Sequence, residues 1–269
     1  MNANSAASVV VEGGGSQVVA HVGLHALASL GDRLGLGDSL SAAMAPVSPG
    51  FAFHDRGKVL AQAMVMLAGG GEACSDIERL RAQPALFGSV PSDSTLYRTV
   101  RSIDPDTLED LRVSAAEVRA EVWSRSSATT GTAPVVLDLD ASLVEIHSEN
   151  KEGTAANYKR GFGFSPMFCF ADATGEALAA RLRPGNATAN SIVDQLEVLD
   201  DSIAQLPDDI AAGHRPGDDP GDVGRPVVVR ADSAGGSRNL CAAFRDRNIG
   251  FAVVARKDPQ INVAISVAA

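Results

Sequence analysis

Two aspartates stand at the ends of strongly apolar segments. Asp140 ends residues 135–140 (VVLDLD), and Asp232 ends residues 227–232 (VVVRAD). Short apolar runs of this kind are typical of buried strands. If the two strands are neighbours in a sheet, both carboxylates emerge at the same edge, where open α/β sheets place their sites.

Such a carboxylate pair repels unless a cation or a proton lies between its members. Oxygen-rich sites suit Mg²⁺ or Mn²⁺, and two such ions roughly 4 Å apart can stabilise the attacking and leaving oxygens of a phosphoryl displacement. Asp140 and Asp232 are therefore predicted metal ligands for phosphodiester cleavage or transfer. Each is alternatively a turn or helix cap. Asp138 shares a strand face with Asp140 and is either a third ligand or a hydrogen-bonding support.

The preceding part of the chain has helical periodicity and ends in a polar segment. Apolar residues three or four apart, with Gly and Pro between segments, indicate successive helices. The predicted helices cover residues 22–31, 55–68, 74–82, 93–101 and 105–124. Small polar residues at 126–133 predict a linker between a mainly helical domain, 1–125, and a second domain, 134–269.

The second domain is predicted to contain a mixed α/β sheet. The pattern gives a strand, a hairpin within 164–183, a helix capped by Asn190, a strand, a helix at 237–247 and a final strand. Residues 207–226 combine acids with repeated Pro and Gly, which predicts a mobile surface loop.

Composition restricts the partners and the compartment. The chain has 23 Lys plus Arg against 33 Asp plus Glu, a formal net charge of −10, so nucleic-acid binding would depend on local chemistry. No apolar stretch is long enough to cross a bilayer, and the N-terminal residues lack the basic-then-apolar order of a signal peptide, which predicts a cytoplasmic protein without a membrane partner. Three widely spaced cysteines predict reduced core thiols.

Four basic residues are candidate DNA contacts. Arg98 and Arg101 would face DNA if residues 93–101 form a recognition helix, although an ordinary surface helix has the same pattern. Lys159 and Arg160 follow the first acidic block and could neutralise a phosphate near the metal, or lie in a solvated loop.

Several short motifs resemble one family in their order and spacing. The chain is similar to bacterial insertion-sequence transposases with an RNase H-like DDE domain. The resemblance covers residues 76–81 (DIERLR), 84–87 (PALF), 94–98 (STLYR), 137–143 (LDLDASL), 158–164 (YKRGFGF), 182–186 (LRPGN) and 229–236 (VRADSAGG).

The resemblance implies a cut-and-paste enzyme that hydrolyses DNA at transposon ends and joins the freed 3′ hydroxyl to target DNA. Its Mg²⁺ (or Mn²⁺) would be held by two aspartates, which Asp140 and Asp232 match, and by a glutamate in a later helix. The implied fold is a partial RNase H-like mixed sheet after a helical domain that binds DNA or forms a homodimer. Because no acid follows Asp258, the resemblance predicts truncation before the third ligand and little or no strand cleavage.

Two other functions fit parts of the sequence. Residues 135–142 also resemble the first motif of haloacid-dehalogenase-type phosphatases, in which Asp138 would be the nucleophile and Asp140 the general acid. A non-enzymatic alternative is a DNA-binding remnant that competes with an intact transposase at its terminal repeats.

Overall fold

The structure is a computed structural model that describes residues 21–147, 150–188, 190–232 and 236–254, together with Ser266. The fold contains two compact units, one ending at Val118 and the other beginning at Arg119. Across these described segments, no helix combines the length and the apolar character needed to cross a bilayer. The motif around Asp258 lies outside the described residues.

The first unit is helical. Its helices are α1 (Val22–Arg33), α2 (Leu36–Met44), α3 (Arg56–Ala68), α4 (Glu78–Arg81), α5 (Pro84–Phe87), α6 (Asp93–Arg101) and the start of α7 (Pro105–Ser124). Side-chain caps define where several of them begin: Asp55 accepts from Lys58 N, Ser92 from Thr95 N, and Asp104 from Thr107 N. The predicted helices at 22–31, 55–68, 93–101 and 105–124 are confirmed.

The predicted helix at 74–82 is wrong in its first half. Residues Cys74–Ile77 form a 3₁₀ turn, and only α4 is α-helical. The Asp76 carboxylate accepts from the backbone N–H groups of Glu72 and Ala73 at 2.9 and 3.0 Å, and these bonds lower the pKa of Asp76. Such local side-chain bonds stabilise a turn in competition with a regular helix.

The core of the first unit depends on a close helix approach. A Cβ atom on Gly57 would lie 2.1 Å from the backbone nitrogen of Ser41, so α2 and α3 can pack this closely only with glycine there. The buried apolar side chains of this unit's cluster are Val59, Val65, Met66, Ile77, Leu80, Val90 and Leu96.

The second unit contains a five-stranded mixed sheet in the order β6, β5, β1, β7, β8. The strands are β1 (Val135–Ala141), β5 (Met167–Ala171), β6 (Glu176–Arg181), β7 (Val227–Ala231) and β8 (Gly250–Val253). β1 pairs antiparallel with β5 and parallel with β7. The predicted mixed α/β sheet is therefore confirmed, and β1 and β7 are neighbours.

Two helices cover one face of this sheet. Leu137, Leu139 and Val229 are buried in one cluster with side chains of α8 (Ile192–Ile203) and α10 (Arg238–Asp246). Because side chains alternate along a strand, Asp138, Asp140 and Arg230 belong to the opposite face. The sequence pattern of β1 thus separates a core face from a polar face.

A second, small sheet follows β1 and divides the predicted hairpin. Its strands are β2 (Val144–Glu145), β3 (Ala155–Ala156) and β4 (Phe162–Phe164), with β4 between the other two. The predicted continuous run at 164–171 is interrupted because Ser165 N donates to the carbonyl oxygen of Arg183 and Pro166 has no N–H for a ladder.

The C-terminal end of α7 belongs to the second unit. Arg119 Nε and Trp123 Nε1 donate to the two carboxylate oxygens of Glu176, at 2.9 and 2.8 Å. This unit therefore begins before the segment 126–133 that was predicted as the linker. The roles assigned to the two predicted domains remain predictions.

The α8 helix begins one residue later than predicted. Its N-cap is Ser191, whose side chain accepts from Asp194 N, whereas Asn190 lies in the preceding turn. A serine hydroxyl is as suitable a cap as an asparagine amide, so composition alone does not choose between them.

Cys74, Cys169 and Cys241 are free thiols, but only Cys169 is buried, so the predicted core position is confirmed for Cys169 and wrong for the half-buried Cys74 and Cys241. Burial raises the pKa of Cys169 to about 11, so this thiol stays protonated and behaves as a small core side chain.

The prediction of a mobile loop at 207–226 is wrong for much of its length. The segment contains α9 (Asp208–Ala211) and a 3₁₀ turn at Pro220–Asp222, and it buries Ile210 and His214. Both ring nitrogens of His214 lie 3.0 Å from a carbonyl oxygen, one of Arg225 and one of Arg247. The contact with Arg247 attaches the segment to the end of α10, and the contact with Arg225 lies within the segment.

Replacing His214 with Leu is expected to lower the free energy of unfolding by about 2 kcal/mol, because the carbonyl oxygen that accepts from the buried imidazole N–H loses its donor. The exposed His147 provides a matched control, since His147→Leu should change stability by less than about 0.5 kcal/mol. Urea denaturation measures both values. Equal stabilities of the two variants would contradict the structural role of His214.

Candidate active site

The two predicted metal ligands are neighbours at one edge of the sheet. In the parallel pairing of β1 with β7, Leu139 lies opposite Ala231, and each aspartate is the next residue along its chain. Adjacent strands are about 5 Å apart, so the register places the Asp140 and Asp232 backbones side by side. Both aspartates are solvent-exposed. The expectation that both emerge at one edge is confirmed.

Asp140 and Asp232 line the same pocket, which has a volume of about 410 Å³. One Asp140 carboxylate oxygen accepts from the Ala141 N–H at 2.8 Å, which orients that carboxylate. The polar residues lining the rest of the pocket are Tyr158, Ser165, Asn186, Thr188, Asn190 and Gln195. Its volume is within the range of small-ligand sites.

Asp138 forms an ion pair with Arg230, and each of these residues lies two positions before Asp140 or Asp232 in the sequence. Arg230, its partner in the β1–β7 register, donates to both Asp138 oxygens at 2.6 Å and to Asp172 at 2.5 Å. The hydrogen bonds that Arg230 donates to Asp138 and Asp172 raise the pKa of Arg230 above its ordinary value. Of the two roles open to Asp138, this geometry favours support of the site over metal ligation.

The same ion pair bears on the phosphatase alternative. A nucleophilic Asp138 would need a carboxylate oxygen available to attack phosphorus, and both of its oxygens already accept from one guanidinium. The geometry therefore disfavours a haloacid-dehalogenase-type reaction at Asp138.

A buried arginine supports the pocket wall between β6 and α8. Arg183 is 4% exposed and donates to the carbonyl oxygens of Ser165 and Thr188 and to the Asp194 carboxylate, at 2.9, 3.0 and 2.9 Å. Burial acts to raise the pKa of Asp194, but the bonds from Arg183 and Ser191 outweigh it, and the pKa is lowered. Ser165 and Thr188 line the pocket, so the hydrogen bonds from Arg183 hold the backbone of two lining residues in place.

Lys159 and Arg160 lie at the exposed tip between β3 and β4. The buried Asn157 side chain accepts from the N–H groups of Lys159 and Gly161, at 2.9 and 3.0 Å. These bonds form a tight turn that fixes the tip. The side chains of Lys159 and Arg160, which are the predicted phosphate contacts, are therefore exposed to solvent. They belong to the same unit as Asp140 and Asp232.

Arg98 and Arg101 lie on α6, in the other unit, and both are exposed. With Ser94 and Tyr97 they follow the i, i+3, i+4, i+7 spacing of one helix face. The Arg101 guanidinium lies 5.9 Å from the centre of the Tyr97 ring, and its Nη1 donates to the Tyr97 hydroxyl.

The donor set fits a hard divalent cation. Two exposed carboxylates with hydroxyl and amide oxygens along one pocket are the oxygen ligands that Mg²⁺ and Mn²⁺ prefer. Among the residues that the structure describes, no group of three His, Cys, Asp or Glu side chains is arranged to hold a metal. The described site therefore supplies two carboxylates for a metal.

The amides of the pocket wall were not predicted from the sequence as site residues. Asn186 belongs to the LRPGN motif, which the resemblance had marked, and Asn190 had been predicted only as a helix cap. One sequence signal could have indicated this wall. Arg183 lies between a predicted strand and a predicted helix, where a cation that becomes buried needs hydrogen-bond acceptors close to it.

A mixed sheet with two carboxylates at the carboxyl ends of neighbouring parallel strands defines an α/β protein with its site at the strand edge. The family described as Transposase DDE domain group 1 matches residues 1–268, and the chain belongs to this family of DDE transposases. The predicted mixed α/β class after a helical region is confirmed. DDE transposases act on DNA and depend on divalent metal ions.

Solved structures give distant likenesses. A pre-cleavage Mos1 transpososome is 13% identical with a TM-score of 0.27, over 82% of this chain and 68% of that chain. The Mos1 mariner paired end complex with Mn is 11% identical with a TM-score of 0.30, over the same shares. The Mos1 strand transfer complex is 13% identical with a TM-score of 0.25, over 82% and 67%. No curated protein matches the chain.

Proposed function

We propose that the sheet unit carries the metal-dependent phosphodiester chemistry of cut-and-paste DNA transposition. Asp140 and Asp232 serve as the first two ligands of a divalent cation, which we assign as Mg²⁺ with Mn²⁺ as a substitute. The adjacent position of these carboxylates at the ends of β1 and β7, on one pocket, is the observation that carries the proposal. The substrates are transposon-end DNA and target DNA.

The side chains around the pocket orient the reacting groups. A bound divalent cation supplies Lewis acidity at the scissile phosphate and lowers the pKa of water. The Ala141 N–H holds one Asp140 oxygen in place, so the carboxylate loses less freedom on binding a cation. The positive charge of Arg230 compensates the negative charge of Asp138, which limits the repulsion between Asp138 and the carboxylates of Asp140 and Asp232.

Cleavage by this polypeptide is expected to be weak. A two-carboxylate site binds a cation less tightly than a three-carboxylate site and positions a second ion poorly. Little or no strand cleavage stays a prediction, which a metal-dependent nicking assay on transposon-end DNA would test.

The basic residues provide the DNA contacts in this proposal. Lys159 and Arg160, at the tip beside the pocket, neutralise backbone phosphates. Arg98 and Arg101 form the basic part of the exposed α6 face and contact the transposon end. A homodimer of the chain would present two copies of the tip and two copies of the α6 face to DNA.

Binding of DNA from the ends of the encoding element, measured by gel shift at several salt concentrations, tests this proposal. The wild-type chain should form a complex that unrelated DNA does not displace. Replacing both Lys159 and Arg160 with Ala should weaken binding and reduce the salt slope by about 2, since each phosphate contact contributes about 1.

Lys151→Ala is the control, because this lysine is also exposed but precedes β3 and is not part of the tip between β3 and β4. It should bind DNA like the wild-type chain. Absence of any complex would refute the proposal. A specific complex formed by a chain that binds no Mn²⁺ would instead favour the non-enzymatic remnant that competes at terminal repeats.

A further inference from the structure

Arg160 has a left-handed backbone conformation, with a φ of 69°. Apart from glycines, three of the described residues have a positive φ, and the other two are His21 and Asn248. Asparagine and histidine are enriched in this conformation, whereas a bulky side chain such as that of arginine is uncommon there. Arg160 therefore occupies its position at a conformational cost.

The turn at the tip imposes this conformation. The Asn157 N–H donates to the Gly161 carbonyl oxygen at 2.9 Å, and the Gly161 N–H donates to the Asn157 side-chain oxygen at 3.0 Å. These bonds close a loop of three residues, 158–160, of which Arg160 is the last. Glycine is the usual left-handed residue of three-residue hairpin loops. Here the glycine comes one position later, so the turn alone does not account for an arginine at position 160.

The Arg160 side chain has no acidic partner among the residues that the structure describes. It is exposed, and no described carboxylate lies within 4 Å of its nitrogens. Other arginines of the same unit each pair with a carboxylate: Arg119, Arg183, Arg230 and Arg247. Strained backbone positions cluster at functional sites, where the surrounding structure maintains them. The strain and the uncompensated charge together indicate an anion from outside the chain.

The place of Arg160 in the tip puts such an anion beside the two aspartates. Tyr158 lines the pocket with Asp140 and Asp232, and two residues of chain span at most about 7 Å between Cα atoms. Lys159 Nζ lies 5.8 Å from the centre of the Tyr158 ring, so this cation already has a partner within the tip. The Arg160 guanidinium has a fork of donors that matches two oxygens of a phosphate.

We propose that Arg160 positions the DNA strand by binding one backbone phosphate next to the phosphate that reaches Asp140 and Asp232. The left-handed backbone presents the guanidinium to that phosphate, and the fold maintains this at a cost in stability. The inference rests on the proposed DNA function and adds to it a single contact between one residue and one phosphate.

Two substitutions of Arg160 separate the charge from the backbone strain. Arg160→Asn removes the charge and suits a left-handed position, so it should raise the midpoint temperature of unfolding by about 3 °C. It should also weaken binding of transposon-end DNA by about ten-fold and lower the salt slope by about 0.9, as expected for one phosphate contact. Arg160→Lys keeps both the charge and the strain, so it should retain the salt slope and gain no stability.

Lys159→Asn is the matched control, because it removes the same charge at a position without a positive φ. It should not raise the midpoint temperature. Fluorescence anisotropy with a labelled transposon-end duplex measures the affinities, and thermal denaturation measures the stabilities.

A set of duplexes with one methylphosphonate each, in place of successive phosphates, locates the contact. The wild-type chain and Lys159→Asn should lose about ten-fold in affinity at the phosphate that Arg160 binds, whereas Arg160→Asn should lose nothing further there.

Three results would overturn the inference while leaving the proposed function in place. Arg160→Asn could bind the duplex as tightly as the wild-type chain, show the same losses at every methylphosphonate, or gain no stability. Absence of any complex between the wild-type chain and the transposon-end duplex would instead refute the proposed function, and this inference with it.

Discussion

Replacing Asp140 with Asn is expected to weaken Mn²⁺ binding by about 100-fold, and Asp232→Asn should have the same effect. Loss of even an outer-shell partner commonly costs metal sites 10- to 100-fold, and each variant removes a charged ligand from a site with two. Titration with Mn²⁺, followed by electron paramagnetic resonance of the free ion, measures the affinity. Any metal-dependent nicking of DNA should disappear in both variants.

Asp172→Asn provides a control with the same change in charge. Asp172 is exposed and lies in the same unit, but it pairs with Arg230 and does not line the pocket. Its replacement should leave Mn²⁺ affinity within about two-fold. The variant removes a charge that does not contact the ion, and salt screens the effect of that charge on the site. Equal losses in all three variants would show that general negative charge, and not the Asp140–Asp232 pair, attracts the ion.

The strands that carry these aspartates could be predicted because each is a compact apolar run. Val135, Leu137 and Leu139 alternate with more exposed residues, and β7 repeats this pattern from Val227. Their parallel pairing could not be read from either segment, because a strand's neighbours depend on contacts far apart in sequence. The sequence analysis therefore leaves the pairing as a condition, and the register of β1 with β7 meets that condition.

The elements that the sequence did not predict owe their stability to packing. α2 contains Gly37, Ser39 and Ser41, which are weak helix formers, and it is held by the burial of Leu40 and Met44. β2 and β3 are two residues each, too short for an alternating pattern to distinguish.

The sequence predicted the two carboxylates of the site, but it did not predict the uncharged residues that line the rest of the pocket. Carboxylates at strand ends are conspicuous in a sequence, whereas Asn186 and Asn190 gain their position only from the way the chain returns between β6 and α8. That return depends on the ion pair between Arg183 and Asp194, which joins the end of β6 to the first turn of α8. A pairing of this kind becomes visible only in three dimensions.

Arg183→Met is accordingly expected to lower the free energy of unfolding by about 3 kcal/mol. The substitution keeps an apolar stem but leaves Asp194 and two backbone carbonyls without their buried donor. Arg181→Met is the matched control: Arg181 also pairs with Asp194, yet it is exposed, and such surface pairs contribute under about 1 kcal/mol. Urea denaturation distinguishes the two, and equal losses would contradict the structural role of Arg183.

The pH dependence of this difference provides a second measurement. The pKa of Asp194 is lowered in the folded chain from its ordinary value of 3.8, so its ion pair contributes stability above that value. The contribution is lost as the pH falls through the folded-state pKa, because the carboxylate then binds a proton. The stability gap between wild type and Arg183→Met should therefore be widest near neutral pH and narrow below about pH 4. A gap that stayed constant across this range would mean that Arg183 stabilises the pocket wall through its backbone contacts alone.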